Sequence, residues 1–189
     1  MTELAYDFFE DHTQAAAEIR RRRPLALGVL ALLAGGTSLF FAQALAGRLS
    51  ILSLSWPSLI AALTWHACLA FLTTAVLHLV LEMTGSKGSA GVLFVHWGLS
   101  DLAWMSAVPA VLVVQALTPN SPWSVRLVFF LVGIWSLALK ARAIRDEYGV
   151  ASGRAWLTLS VPYLAAMALA ALVLALTLAA LILAAVRSL

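Results

Sequence analysis

The chain has 189 residues, of which 62% are hydrophobic and 11% are charged, and its formal net charge is +3. Soluble domains contain about 45–50% apolar and about 25% charged residues, so this composition excludes an ordinary soluble domain. Several uncharged apolar runs of about 18 residues or more indicate membrane-spanning helices. We therefore predict an all-α polytopic membrane protein, a bundle of five transmembrane helices with a short N-terminal amphipathic helix.

Residues 1–23 precede the first apolar run and are predicted to form a cytoplasmic amphipathic segment. Acidic residues lie early in it and the basic residues late, an order that suits a helix macrodipole. We expect a helix over residues 3–22 on the membrane surface, and a solvated tail is the alternative. Four consecutive arginines would bind anionic lipid headgroups or only fix the topology: Arg20, Arg21, Arg22 and Arg23.

Residues 24–189 form the predicted five-span membrane domain. The spans lie at about 24–46, 56–81, 90–117, 123–145 and 160–186. A polar turn is expected from Arg48 to Ser55. Small residues at close helix crossings predict packing seams in the first span (Ala31, Gly35) and in the fifth (Ala171, Ala175, Ala179).

The fourth helix is predicted to continue past its apolar run, and the fifth apolar run is longer than one membrane span needs. The charged run "KARAIRDEYG" contains no helix breaker, so the fourth helix is predicted to continue to near Gly149. The uncharged run from Ala155 to Val186 would reach about 48 Å as a helix, against a hydrocarbon core of about 30 Å. We therefore expect Pro162 to separate an interfacial lead-in from the fifth span proper.

Basic residues are distributed unequally between the two sides. With a cytoplasmic N-terminus, nine of the 12 Lys and Arg residues lie on the cytoplasmic side and three on the other. The positive-inside rule then predicts a cytoplasmic N-terminus and a C-terminus on the opposite side of the cytoplasmic (inner) membrane.

Two stretches, "LHLVLEMTGSKGSAGVL" and "WSLALKARAIRDEYGVASGRAWLTLSVP", resemble the bacterial branch of the Ypt-interacting protein (Yip) family. Pro109 lies where that family carries a proline in its third span, although the family's preceding glycine-tyrosine is Trp104-Met105 here. The resemblance covers residues 25–186 and implies five spans with a cytoplasmic N-terminus. Eukaryotic members bind prenylated Rab-type GTPases, but their tyrosine-glycine-proline-type motifs are absent from this sequence, so GTPase binding is not carried over.

The sequence contains no metal-ligand motif, phosphate-binding glycine loop or nucleophile elbow. It also lacks a basic patch with interleaved aromatic residues of the kind that binds nucleic acid. We therefore predict no enzymatic activity, no cofactor, no metal site and no nucleic-acid partner.

Ionisable residues inside the spans are the candidate site: His66, His78, Glu82, His96 and Asp101. His78 and Glu82 are four residues apart and share a helix face. Asp101 lies near mid-membrane, where an unpaired carboxylate costs at least ~2.5 kcal/mol. If Lys140 marks the membrane boundary, Arg126 lies close to Asp101 in depth and pairs with it. The alternative is a relay or ion site with His66 or His96.

The sequence thus leads to a non-enzymatic membrane-organising or adaptor role of the Yip type. The expected partners are the lipid bilayer with its anionic headgroups and a cytoplasmic protein or a second copy of the chain. The alternative is a small transporter or channel that uses Asp101 and the histidines, and an intramembrane enzyme ranks third.

Overall fold

The computed structural model describes residues 2–10, 12–47, 54–119 and 121–187, and these form helices without any strand. Most of the turn predicted to begin at Arg48 lies outside the described residues. Five helical segments are long and apolar enough to cross a membrane, as predicted. The helices are α1 (Thr2–Glu10), α2 (His12–Arg22), α3 (Leu25–Leu45), α4 (Trp56–Met83), α5 (Ala90–Asp101), α6 (Ala107–Leu117), α7 (Pro122–Tyr148) and α8 (Ser152–Arg187), with a 3-10 turn at Leu102–Ser106.

Successive spans run in opposite directions, so the segments that connect them lie at two opposite ends of the bundle. We call the end that holds residues 23–24, 84–89 and 149–151 the N-face. There Arg154 Nη2 donates to the Thr84 carbonyl at 3.1 Å. We call the opposite end, which holds residues 45–47 and 117–119, the far end. There Gln115 Nε2 donates to the Leu45 carbonyl at 2.9 Å. Contacts between side chains and backbone therefore join neighbouring helices at both ends of the bundle.

The first span packs closely against the third. A Cβ built on Gly28 of α3 would lie 2.8 Å from the Val95 Cα of α5, and one built on Gly98 would meet the Gly28 carbonyl. Ala31 and Gly35 are both buried along this crossing. The seam predicted at those two residues is therefore confirmed, because small residues allow the two backbones to approach.

The third span is not one regular helix. The α-helix α5 ends at Asp101, the 3-10 turn follows, and the α-helix α6 then begins at Ala107. Pro109 lacks an N–H and cannot bond to the carbonyl four residues earlier. Ser106 Oγ donates to the Ala103 carbonyl at 2.7 Å within the turn. The tighter winding begins immediately after the buried carboxylate.

The fourth helix continues to Tyr148, as predicted. It ends where Gly149 takes the left-handed conformation at φ 62° and ψ 29°, which glycine adopts at little steric cost. The interpretation of the fifth span was wrong: α8 is one continuous helix of 36 residues with Pro162 inside it. Prolines are tolerated within membrane helices because the freed backbone group can be satisfied locally.

The seam predicted in the fifth span is not formed within this chain. Ala155, Thr158 and Leu159 near the start of α8 are buried against the bundle. Further along, the described side chains of residues 163–184 are exposed, including Ala171, Ala175 and Ala179. The same spacing of small residues that packs in α3 therefore faces outward in α8.

The N-terminal segment forms two helices that pack on the bundle, in place of a single surface helix. Phe8 of α1 and Ile19 of α2 are completely buried. The ring centroids of Phe8 and His96 are 6.0 Å apart, and those of Phe9 and Trp135 are 5.8 Å apart. The apolar face of this segment is therefore covered by α5 and α7.

Candidate functional site: a buried ion cluster

Asp101 lies at the last residue of α5 and is completely buried. A Cβ built on Gly35 would meet its backbone carbonyl, so α3 passes directly over it. Gly35 is the middle residue of the 21-residue helix Leu25–Leu45. The carboxylate therefore lies halfway along the first span, far from both ends of the bundle.

Both carboxylate oxygens of Asp101 have partners. Lys140 Nζ lies 2.6 Å from Oδ1, and the Ser136 hydroxyl donates to the same oxygen at 3.3 Å. His66 Nε2 lies 3.1 Å from Oδ2. Ser136 and Lys140 are four residues apart on α7 and share a face. The cluster joins three spans, since His66 belongs to α4, Asp101 to α5 and its other two partners to α7.

An aromatic ring completes the surroundings of the ammonium group. Lys140 Nζ lies 4.5 Å from the centroid of Trp97, which is four residues before Asp101 on the same helix. The ring quadrupole attracts a cation over its face. One turn of α5 therefore supplies both the carboxylate and the ring that hold Lys140.

The predicted pair between Asp101 and Arg126 is wrong. Arg126 lies 14 residues before Lys140 on α7, about 21 Å nearer the far end, and its guanidinium lies 5.1 Å from the Trp123 ring. The prediction assumed that Lys140 marks the boundary of the membrane. In the structure Lys140 lies at the depth of Asp101, and α7 continues beyond it to Tyr148.

The remaining polar candidates lie in separate places. His96 is buried, and its Nδ1 donates to the Val92 carbonyl at 3.0 Å. Toward the N-face, His78 Nε2 lies 3.4 Å from Glu82 Oε1, which confirms that these two side chains share a face. The hydroxyl of Tyr148 lies 2.7 Å from His78 Nδ1. Only the spacing within α4 is visible in the sequence, so the tyrosine was missed.

The four arginines of the N-terminal segment have different surroundings. Arg20 Nε lies 3.2 Å from Glu147 Oε2, and Glu147 Oε1 accepts a hydrogen bond from the Ser89 backbone N–H at 2.8 Å. Arg21 and Arg22 pair with Glu18 on their own helix. The hydrogen bond from Arg21 lowers the pKa of the Glu18 carboxyl. Arg20 is therefore held by the bundle, and Arg21, Arg22 and Arg23 are exposed.

Two clefts reach the partners of Asp101. One, of about 510 Å³, lies between α4 and α8 and is lined by His66, Trp97, Lys140 and Tyr163 among others. The second, of about 400 Å³, lies between α3 and α4 and is also lined by His66. Asp101 lines neither cleft. Water or a ligand in these clefts therefore meets its partners first.

The cluster is poorly suited to a metal ion. In the part of the chain that the structure describes, no three His, Cys, Asp or Glu side chains lie close enough to hold one. The single carboxylate here is already neutralised by the Lys140 ammonium at 2.6 Å. The arrangement is an internal ion pair with two additional hydrogen-bonding groups.

No protein-family model, curated protein or solved structure compared with this chain matches it. The fold and the site therefore define the protein by class: an integral membrane protein of five apolar helices, three of which are joined by a buried ion cluster.

Proposed function

We propose that the protein is a non-enzymatic integral membrane protein of the Yip type, with a membrane-organising or adaptor role. The observation that supports this role is the closure of the Asp101 site. The side chain is completely buried, and its nearest cation is fixed on the neighbouring helix at 2.6 Å. A carboxylate in this position joins helices and has no free oxygen to offer a passing ion.

In this proposal the N-face is cytoplasmic and the membrane is the inner membrane. The positive-inside rule supports that orientation. The N-face carries Arg20 to Arg23, Lys87, Arg142, Arg145 and Arg154, whereas Arg126 and Arg187 are the basic residues at the far end among those described.

The partner surface is basic. Arg21 and Arg22 are exposed in the last turn of the docked α2, Arg23 is exposed just after it, and Arg142 is exposed on α7. The Arg20–Glu147 contact holds these two helices together. Such a surface suits anionic lipid headgroups and an acidic segment of a cytoplasmic protein or of a second copy of the chain.

Photo-crosslinking in cells tests the adaptor role. A photoreactive amino acid replaces Ala17, which is exposed on α2. We expect a discrete protein adduct that is lost after Arg142→Glu, because charge reversal removes part of the basic surface. Arg126→Glu at the far end is the matched control and should leave the adduct unchanged. Absence of an adduct, or an adduct insensitive to Arg142→Glu, contradicts the role.

A transporter or channel is the second candidate, and one observation favours it. His66 lines both clefts while its Nε2 bonds to Asp101. An imidazole in that position can accept a proton from one cleft and release it to the other. Proton flux into proteoliposomes that exceeds flux into protein-free vesicles, and that His66→Asn removes, would support transport over the adaptor role.

A further inference from the structure

The cleft between α4 and α8 has the dimensions and lining of a ligand site. Its volume of about 510 Å³ lies within the range of about 300–1,000 Å³ found for small-molecule sites. Leu72 and Val76 of α4 face Pro162 and Ala166 of α8 across it, and Trp97 and Lys140 lie beneath. Because the outer side chains of both helices are exposed, the cleft opens sideways, toward lipid.

Three polar side chains that line this cleft can donate hydrogen bonds, and one of them, the ammonium group of Lys140, can only donate. An ammonium group has three N–H donors, and Asp101 occupies one of those of Lys140. Tyr163 lines the same cleft, and its hydroxyl makes no hydrogen bond to the described residues. Thr73 adds a second hydroxyl to the lining. A molecule that presents acceptor oxygens can therefore be held here by the ammonium group and by both hydroxyls.

The charge of the cluster argues against an ionised headgroup. Asp101 and Lys140 neutralise each other, so a bound carboxylate or phosphate would leave a net charge halfway along the bundle. Such a charge is costly at that depth. A neutral carbonyl accepts the same hydrogen bonds without that cost. The ring of Tyr163, which is 48% exposed, further favours a flat ring, because flat rings pack well against an aromatic face.

From these observations we propose that the cleft binds a neutral, membrane-soluble ring compound of the quinone class. A ring carbonyl accepts a hydrogen bond from Lys140 or Tyr163, and the apolar tail leaves between α4 and α8 into the bilayer. The proposal concerns binding only, and it stands independently of the adaptor and transporter roles.

Photoaffinity labelling tests this site. The full chain in lipid nanodiscs is labelled with an azido-quinone that carries a decyl tail, with and without an excess of unlabelled decyl quinone. We expect competed labels on peptides from both α4 and α8. Ala166→Trp fills the cleft and should abolish them. Ala175→Trp is the matched control, since it adds the same side chain to an exposed position of α8 outside the lining.

The variant Tyr163→Phe distinguishes specific binding of the quinone from occupation of the cleft by a lipid molecule. It removes one donor and no volume, and a net hydrogen bond of about 0.5–1.5 kcal/mol corresponds to a two- to tenfold loss of quinone affinity. Labels that persist in Ala166→Trp, or that oleate displaces and the quinone does not, would overturn the proposal. Affinity unchanged by Tyr163→Phe and by Lys140→Met would do the same.

Discussion

Gly98 of α5 lies against the backbone carbonyl of Gly28 in α3, and this contact sets how closely the first and third spans approach. Gly98→Ala places a methyl group into backbone, which cannot move aside as a flexible side chain can. We expect a loss of about 1–3 kcal/mol in the free energy of unfolding, as overpacking costs elsewhere. Unfolding in mixed micelles measures it.

Gly133→Ala is the control for that substitution. Its Cβ would lie 3.7 Å from the Trp104 ring, which is ordinary van der Waals contact. We expect little change, or a small gain from helix propensity. Equal losses in the two variants would show that the crossing of α3 and α5 does not depend on close approach at Gly98.

Arg20 is predicted to hold α2 on the bundle. Arg20→Gln removes the contact with Glu147 and the hydrogen bond to the Asp146 carbonyl. We expect faster amide exchange in α2 and little change in bundle stability, because Arg20 is largely exposed and such pairs contribute about 0.2–1 kcal/mol. Arg22→Gln, which breaks a pair within α2 alone, should leave docking intact. Faster exchange throughout α7 would contradict this local role.

The proposed orientation predicts which turns are cytoplasmic. In a Cys68→Ser background, Lys87→Cys should be protected from an impermeant thiol reagent added outside intact cells. Thr118→Cys, exposed at the far end, should react. The reverse pattern would invert the topology, and labelling of both positions from the same side would contradict the alternate crossing of the spans.

The sequence predicts the spans well because length and apolar composition are properties of each helix alone. The partner of Asp101 depends on how helices are registered along the bundle, which sequence does not show. The 13 uncharged residues between Arg126 and Lys140 indicate a membrane boundary at Lys140, which would bring Arg126 to the depth of Asp101. Packing instead brings Lys140 to the level of Asp101, one turn after Ser136.

Small residues show the same limit. Ala31 and Gly35 of α3 pack against the third span, whereas Ala171 and Ala175 of α8 are exposed. Both runs are apolar, and in both the small residues are four positions apart. What distinguishes them is whether a neighbouring helix is present on that side, and this is a property of the assembled bundle.

Asp101 and Lys140 fasten the third span to the fourth through their buried contact at 2.6 Å. The most direct test is the free energy of unfolding in nanodiscs, measured for Asp101→Asn, for Lys140→Met and for the double variant. Arg126→Gln is the control. Proton flux is measured on the same protein preparations. Each single variant should lose about 3–5 kcal/mol, because it leaves a buried charge unpaired. The double variant should recover part of that loss, and Arg126→Gln should unfold like the unmodified chain. An Asp101→Asn protein that unfolds normally but has lost a measurable proton flux would contradict the claim.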